Sequence, residues 1–126
     1  MEKFKHKILY VEDEDKIRQT MQKIFNMFFE NFLVASDGSE GLEIFKKNPD
    51  ISLIITDLEM PNLDGIEMIK EIRNINKDAS VFITSAYPES RYSDVITELN
   101  IAKYFVKPTR FNELLDLVKA ELKITS

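Results

Sequence analysis

Reactive side chains follow four of the apolar runs in this chain, each at the residue where the run stops. They are Glu12 and Asp13 after the first run, Asp57 after the third, Ser85 after the fourth and Lys107 after the fifth. Three carboxylates crowded at one place would repel one another and raise each other's pKa. A bound divalent cation would relieve that repulsion, so the three acids are candidate metal ligands.

The available ligand atoms indicate which cation to expect. Glu12, Asp13 and Asp57 offer only oxygen atoms, and the single histidine, His6, lies before the first apolar run. Hard oxygen ligands with room for water suit Mg²⁺, or Mn²⁺, rather than zinc or copper.

A cation beside Asp57 would also neutralise an incoming phosphoryl group. An aspartate can itself act as the nucleophile and form an acyl phosphate. Lys107 could then pair as a point charge with the phosphoryl oxygens, and Ser85 could donate a hydrogen bond to them. Phosphoryl transfer demands mostly positioning and charge neutralisation, and these groups supply both.

The elements that must position these residues alternate along the chain. Short apolar runs predict strands, and apolar stripes at helical spacing predict helices. The predicted strands are 8–11, 32–35, 53–56, 81–84 and 104–106. The first helix carries the stripe Ile17, Met21, Ile24, Phe25 and Phe28, the second spans 39–47, and the third carries Ile66, Ile69, Ile72 and Ile75. The fourth lies within 89–100 with Val95, Ile96 and Leu99, and the last carries Phe111, Leu114, Leu115, Val118 and Leu122.

Five strands separated by amphipathic helices predict an α/β fold, a doubly wound five-stranded parallel sheet of the (βα)5 type. All C-terminal strand ends then share one edge, and ligand sites lie beyond that edge where the strand order reverses. The reactive residues named above should meet there. We expect the third strand to be buried on both faces. Nothing reactive follows the second strand, which should lie at the outside of the sheet, and Phe25, Phe28, Phe29 and Phe32 should belong to the core.

Length and composition limit the possible functions. The 126 residues fit one domain spanning 1–126, with 44% hydrophobic and 31% charged residues. A net charge of -5 disfavours direct binding to nucleic acid or to an anionic membrane. The lack of cysteine excludes disulfides and thiolate metal sites. No apolar stretch is long enough to span a bilayer, so a cytoplasmic location is the expectation.

Four segments, in the same order and with similar spacing, resemble the receiver domains of two-component response regulators. They are Tyr10–Glu14, Ile55–Pro61 followed by Asp64-Gly65, Ser85–Tyr87, and Tyr104–Pro108. The resemblance covers nearly the whole chain and implies the flavodoxin-like strand order 2-1-3-4-5. It also implies that a sensor histidine kinase or a phosphotransfer protein phosphorylates Asp57.

The resemblance further implies a role for each site residue. Asp13, Asp57 and the backbone carbonyl of Glu59 would bind Mg²⁺, with Glu12 helping through a water molecule. Lys107 would bridge to the phosphoryl group, and its peptide bond to the following proline is often cis in the family. Glu12 stands where the family commonly has aspartate, and its longer side chain can still hold a metal-bound water.

The resemblance also implies a switch. Ser85 and Tyr104 would form it, with the hydroxyl moving to the phosphoryl group and the ring turning inward behind it. The family commonly has threonine at the hydroxyl position, and Thr84 is the alternative to Ser85. Glu59 and Tyr87 flank the path of an attacking water and would tune the lifetime of the phosphate.

The same resemblance indicates a signalling phosphoacceptor rather than an enzyme, with at most self-phosphorylation from phosphodonors and autodephosphorylation. An unidentified output partner would bind the face made by the fourth helix, fifth strand and last helix. The protein would be a monomer or a phosphorylation-dependent dimer. Whether it acts alone or as the receiver of a longer regulator is left open by the sequence.

Other protein classes fit the sequence less well. A phosphatase or mutase with a nucleophilic aspartate generally has a second aspartate two residues later, where this chain has Glu59. A flavodoxin-like binder would need a phosphate-cradling loop after the first strand, and the acids there would repel the cofactor. An unphosphorylated interaction module of the same fold usually lacks the acids or the lysine. Taken singly, Asp57 could be a helix cap, Ser85 a turn residue and Lys107 a solvated charge.

Overall fold

Strands and helices alternate five times in the computed structural model, which describes residues 2–124. The strands are β1 (Phe4–Val11), β2 (Phe29–Ala35), β3 (Leu53–Asp57), β4 (Ser80–Ser85) and β5 (Lys103–Val106). The helices are α1 (Asp15–Phe25), α2 (Gly38–Lys47), α3 (Gly65–Ile75), α4 (Ser93–Glu98) and α5 (Phe111–Glu121), and a 3₁₀ turn at Glu89–Tyr92 precedes α4.

The five strands form one parallel sheet in the order β2-β1-β3-β4-β5. This confirms the predicted fold class and the outer position of β2. β3 lies in the middle, paired with β1 on one side and β4 on the other, and all five of its residues are buried. Its apolar run is therefore covered on both faces, as a central parallel strand requires.

Alternate side chains of the strands enter two separate cores on the two faces of the sheet. The core on one face includes Leu9, Val11, Ile54, Val81 and Ile83 with Phe45, Met68, Ile69 and Ile72 from the α2 and α3 side. The core on the other face includes Ile8, Tyr10, Leu53, Ile55 and Phe82 with Met21, Phe25, Leu114, Leu115 and Val118 from the α1 and α5 side. The helices hold the sheet from both faces, so its C-terminal edge is a rigid platform for the loops.

Two helix starts are fixed by aspartates that follow strands. Asp37 accepts a hydrogen bond from the backbone N–H of Glu40 at 2.8 Å, and Asp64 accepts one from that of Glu67 at 2.9 Å. Such caps satisfy backbone donors that the first helical turn leaves free. The Asp64 cap therefore sets where the loop after β3 ends and α3 begins.

Several predicted boundaries were too short or misplaced. β1 and β2 start earlier than predicted because Phe4 pairs with Phe29, with their rings 5.4 Å apart. His6, which precedes the predicted strand 8–11, accordingly lies in β1 as an exposed strand residue. Phe28 follows the end of α1 and is partly buried, whereas Phe25, Phe29 and Phe32 are core residues as predicted.

The fourth helix differs most from its prediction. Only six residues are α-helical, and neither they nor the 3₁₀ turn before them contain a fully buried residue. The predicted stripe of Val95, Ile96 and Leu99 is only partly buried. Among the described residues, no helix has the length and apolar character needed to cross a membrane.

Candidate functional site

Three acids converge where β1 and β3 end. Val11 pairs with Thr56 in the sheet, so the residues that follow, Glu12 and Asp57, emerge side by side. Oxygen atoms of Glu12, Asp13 and Asp57 lie within 4.8 Å of one another. Glu12 and Asp57 are only 1% and 3% exposed, while Asp13 is partly open to solvent. Two of the acids are therefore buried, and solvent reaches the third, Asp13, from the loop edge.

Lys107 reaches this cluster from the end of β5. Its ammonium nitrogen lies 2.6 Å from Asp57 Oδ2 and 3.2 Å from Glu12 Oε1. The Lys107 N–H donates to the carbonyl of Ser85 at 2.7 Å, which fixes its backbone against β4. The Lys107-Pro108 peptide bond is cis, in agreement with the family resemblance.

Burial shifts the pKa values of the acids in the site. Burial raises the pKa of Asp57 above its usual range, although Lys107 acts in the opposite direction. Burial also raises the pKa of Glu12. Burial alone would lower the pKa of Lys107, but its hydrogen bond to Asp57 and the two nearby carboxylates outweigh that effect, and the pKa is raised. The positive charge of Lys107 therefore faces two buried carboxylates, and the cluster carries excess negative charge.

The donor atoms and the charge of the cluster fit a hard divalent cation. All the side-chain ligand atoms are carboxylate oxygens, and Asp13 leaves the cluster open to water on one side. Two oxygens are already oriented by the backbone, since the Glu59 N–H donates to Asp57 Oδ1 at 3.2 Å and the Glu14 N–H donates to Glu12 Oε2 at 3.1 Å. This combination suits Mg²⁺, which keeps several waters and takes one or two carboxylates.

The hydroxyl of Ser85 is engaged by a neighbouring acid. Ser85 Oγ donates to the carboxylate of Glu59, with 3.1 and 3.2 Å to its two oxygens, and it accepts the Tyr87 N–H at 3.1 Å. Thr84, the alternative hydroxyl residue, lies beside Asp57 in the strand register. The structure thus brings both hydroxyl residues to the site edge, with Ser85 on the Glu59 side.

Tyr104 is tied to the loop between β4 and the 3₁₀ turn. Its hydroxyl donates to the carbonyl of Tyr87 at 2.7 Å, and its ring is partly buried. The exposed ring of Tyr87 is covered by the guanidinium of Arg91, 3.9 Å from the ring centre. The two tyrosines predicted for switching and lifetime tuning are therefore in direct contact through this loop.

Sequence reasoning missed Tyr92 as a site residue. Its hydroxyl donates to Glu59 at 2.8 Å, and its ring centre lies 6.4 Å from that of Tyr104. Tyr92 lies three residues before Val95 and four before Ile96, so its helical spacing could have placed it on the same apolar stripe. That pattern would have indicated packing, but it carried no sign of the contact with Glu59.

A cleft of about 540 Å³ opens beside Lys107, between α1 and the loop from β5 to α5. Glu12 and Lys107 form its inner end, and Ile17 and Thr20 of α1 form one wall. Ile17 is 37% exposed, although the sequence placed it on the buried stripe. Glu12 is the member of the acidic cluster that lines this cleft.

Comparison with known proteins identifies the family. Residues 8–119 match the response regulator receiver domain. The chain is 34% identical over 121 residues to sporulation initiation phosphotransferase F of Bacillus subtilis, covering 95% of this chain and 96% of that protein. It is 36% identical over 121 residues to the probable transcriptional regulator ycf27 of Porphyridium aerugineum, covering 94% of this chain but 49% of that protein.

A solved structure supports the same relationship. The response regulator TrrA of Thermotoga maritima, in complex with Mg²⁺-BeF, is 32% identical with a TM-score of 0.77, covering 92% of this chain and 98% of that one. The chain spans nearly the full length of the Bacillus relative and about half the length of the Porphyridium relative. With the receiver match across 8–119 and the acid–lysine site at the sheet edge, the chain belongs to the response regulator receiver domain family.

Proposed function

We propose that this protein is a phosphoacceptor in which a histidine kinase or phosphotransfer protein phosphorylates Asp57, and that the modification changes partner binding through Ser85 and Tyr104. The observation that carries the proposal is the contact of Lys107 with both Asp57 and Glu12 inside a buried acidic cluster. A lysine held on two buried acids is placed where negative charge would accumulate during phosphoryl transfer.

Transfer from a phosphohistidine would proceed by exchange of one bond for another. A carboxylate oxygen of Asp57 forms a bond to phosphorus while the phosphorus–nitrogen bond breaks, and the imidazole leaves with the electron pair. The product is an acyl phosphate at Asp57. Lys107 stays beside the reacting carboxylate and pairs with a phosphoryl oxygen as the charge on the acid is redistributed.

Asp13, Asp57, the backbone carbonyl of Glu59 and, through water, Glu12 would hold Mg²⁺ at this site. When bound, the cation would neutralise charge on the acids and on the phosphoryl oxygens. The backbone N–H of Glu59 and that of Glu14 keep the acids oriented for this role. Preorganised oxygens need little rearrangement on binding, which favours both the metal and the transfer step.

The donor protein would contact α1 beside the acidic cluster. Ile17 is exposed on this helix and lines the cleft beside Lys107, and Glu12 lines the same cleft. A partner bound here would lie next to the acids that surround Asp57.

The switch would begin at Ser85 and end at α4. The Ser85 hydroxyl turns to the phosphoryl group, the loop after β4 follows, and Tyr104 loses its anchor on the Tyr87 carbonyl. The short α4, which has no fully buried residue, can respond at low cost. The face of α4, β5 and α5 is the surface where we expect the output partner.

Incubation with acetyl phosphate and Mg²⁺ tests the proposal. Intact mass should rise by one phosphoryl group, and the change should require the cation and be lost in Asp57→Asn. Asp116→Asn, the same substitution at an exposed position on α5, should behave as the wild type. Modification that persists in Asp57→Asn would refute the assignment.

A paired comparison identifies the switch hydroxyl. In Ser85→Ala, beryllofluoride with Mg²⁺ should leave the NMR signals of Tyr104 and α4 close to their resting positions. In Thr84→Val the wild-type response should persist. The reverse pattern would assign the switch to Thr84.

A further inference from the structure

The carboxylate of Glu59 is the centre of a hydrogen-bonded cluster that links three segments. It accepts from Ser85 Oγ at the end of β4, from the Tyr92 hydroxyl in the 3₁₀ turn, and from the backbone N–H of Ala86 at 3.4 Å. Glu59 itself lies in the loop after β3, two residues beyond Asp57. The cluster therefore joins the phosphorylation loop directly to the start of the α4 segment.

Ser85 has no free proton to offer in this arrangement. A serine hydroxyl carries one donor proton, and here Glu59 accepts it while the Tyr87 N–H occupies an acceptor site. The proposed switch needs that same proton for a phosphoryl oxygen. The Glu59 carboxylate and the phosphoryl group are thus alternative acceptors for one hydroxyl.

We propose that Tyr92 is a positioning residue that holds the Glu59 carboxylate on Ser85, and that the held carboxylate opposes the activated state by competing with the phosphoryl group for the Ser85 hydroxyl. This inference rests on the proposed function and adds a resting-state restraint to it. The Tyr92–Glu59 contact, at 2.8 Å, is the shortest of the hydrogen bonds made by this carboxylate.

The surroundings of Tyr92 suit a holding role. Its ring is partly buried against the core on the α2 and α3 face and lies near Tyr104, so packing fixes the direction of its hydroxyl. Burial, together with the hydrogen bond to Glu59, raises the pKa of Tyr92 to about 12. The hydroxyl therefore stays protonated at neutral pH and donates a hydrogen bond to the Glu59 carboxylate.

Activation would break one side of this cluster. When Ser85 turns to the phosphoryl group, Glu59 loses that donor but keeps Tyr92, and its negative charge must move away from the new phosphoryl charge. A movement of Glu59 would displace the 3₁₀ turn through the hydrogen bond between Glu59 and Tyr92. The same contact that restrains the resting state thereby couples the site to the start of α4.

Affinity for beryllofluoride in the presence of Mg²⁺, measured by fluorine NMR on the intact chain, tests the proposal. Tyr92→Phe keeps the ring and removes the hydroxyl that holds Glu59, and it should tighten binding about three- to tenfold, the range that corresponds to the net contribution of one hydrogen bond. In the Glu59→Ala background, Tyr92→Phe should have no further effect, because the hydroxyl acts only through the carboxylate. Resting-state amide signals of Ser85 and Ala86 should shift in both single variants, and more in Glu59→Ala, which also removes the acceptor of the Ala86 N–H.

A control variant comes from the same turn. Ser90→Ala removes an exposed hydroxyl from the 3₁₀ turn that also contains Tyr92. It should bind beryllofluoride within about twofold of the wild type.

The outcomes separate the two proposals. A wild-type protein that binds no beryllofluoride with Mg²⁺ would contradict the proposed function and this inference together. Normal wild-type binding with unchanged or weaker binding in Tyr92→Phe would contradict the inference alone. An equal effect of Tyr92→Phe with and without Glu59 would do the same, since it would place the action of Tyr92 elsewhere.

Discussion

Asp57 and Glu12 occupy positions that disfavour their charged forms. Both are nearly inaccessible to solvent, and both contact the ammonium of Lys107. Ion pairs at such depth rarely stabilise a fold, because the cost of removing the charges from water offsets their attraction. The arrangement is therefore better explained as a site prepared for added positive charge than as a structural salt bridge.

Replacement of Asp57 by asparagine should stabilise the metal-free protein. Burial raises the pKa of Asp57 in the folded protein. Well below the ordinary aspartate pKa the buried acid is neutral and costs the wild type no stability. The wild type loses stability as the pH rises through the raised value, because the acid then ionises in a buried position. The stability difference between Asp57→Asn and wild type should therefore be near zero at about pH 3 and reach about 1 to 3 kcal/mol at about pH 7. Urea denaturation across this pH range measures it.

The same experiment includes its own metal test. Saturating Mg²⁺ should stabilise the wild type more than Asp57→Asn, because a ligand that binds the folded state raises stability according to its affinity. Asp116→Asn should follow the wild type at every pH, since its side chain is exposed. A metal-free Asp57→Asn protein less stable than the wild type at neutral pH would contradict the burial argument.

At the scale of elements, the strand ends were predictable and the fourth helix was not. Runs such as Leu53–Ile55 are continuous and apolar because both faces are covered, and that pattern is visible in the sequence. Parallel topology then placed Asp57 and Lys107 at one edge. The α4 segment has weak apolar periodicity, and its position depends on tertiary contacts such as that of Tyr92 with Glu59. Contacts of this kind have no local sequence signature.

The junction of β3 and α3 is held by a close backbone approach at Gly65. A Cβ at this position would collide with the carbonyl oxygen of Asp57 and come within 2.9 Å of Leu58 Cα. Gly65→Ala should therefore displace the loop that carries Glu59. We expect a loss of about 2 to 4 kcal/mol in unfolding free energy and a weaker Mg²⁺ affinity, measured by denaturation and by metal titration.

Gly41→Ala in α2 is a matched control. Its added Cβ would meet the sulfur of the Met68 side chain at 2.8 Å and Val11 Cγ2 at 3.0 Å, and the three atoms nearest to it all belong to side chains. Alanine also favours the helix by about 1 kcal/mol relative to glycine, which offsets part of the crowding. An Mg²⁺ affinity of Gly65→Ala equal to that of Gly41→Ala would show that the β3–α3 approach does not position the site.

The candidate site lies at the C-terminal edge of the sheet, apart from the two hydrophobic cores on its faces. The stacked rings of Phe25 and Phe32, 4.8 Å apart, lie in the core on the α1 and α5 face, and the Glu59 cluster lies at the loop edge. A well-packed core on each face keeps the strand ends fixed while the loops change partners. Stability and switching should therefore respond to different substitutions.

Phe25→Leu tests this separation. Phe25 is fully buried and stacked between Phe29 and Phe32, so the smaller side chain should lower the unfolding free energy by about 1 to 2 kcal/mol. Beryllofluoride affinity with Mg²⁺ should stay within about twofold of the wild type, because the site loses no contact. Urea denaturation and fluorine NMR on the same samples measure the two quantities. A large loss of affinity at unchanged Mg²⁺ would mean that the α1 face and the site move together, and that the sheet does not isolate one from the other.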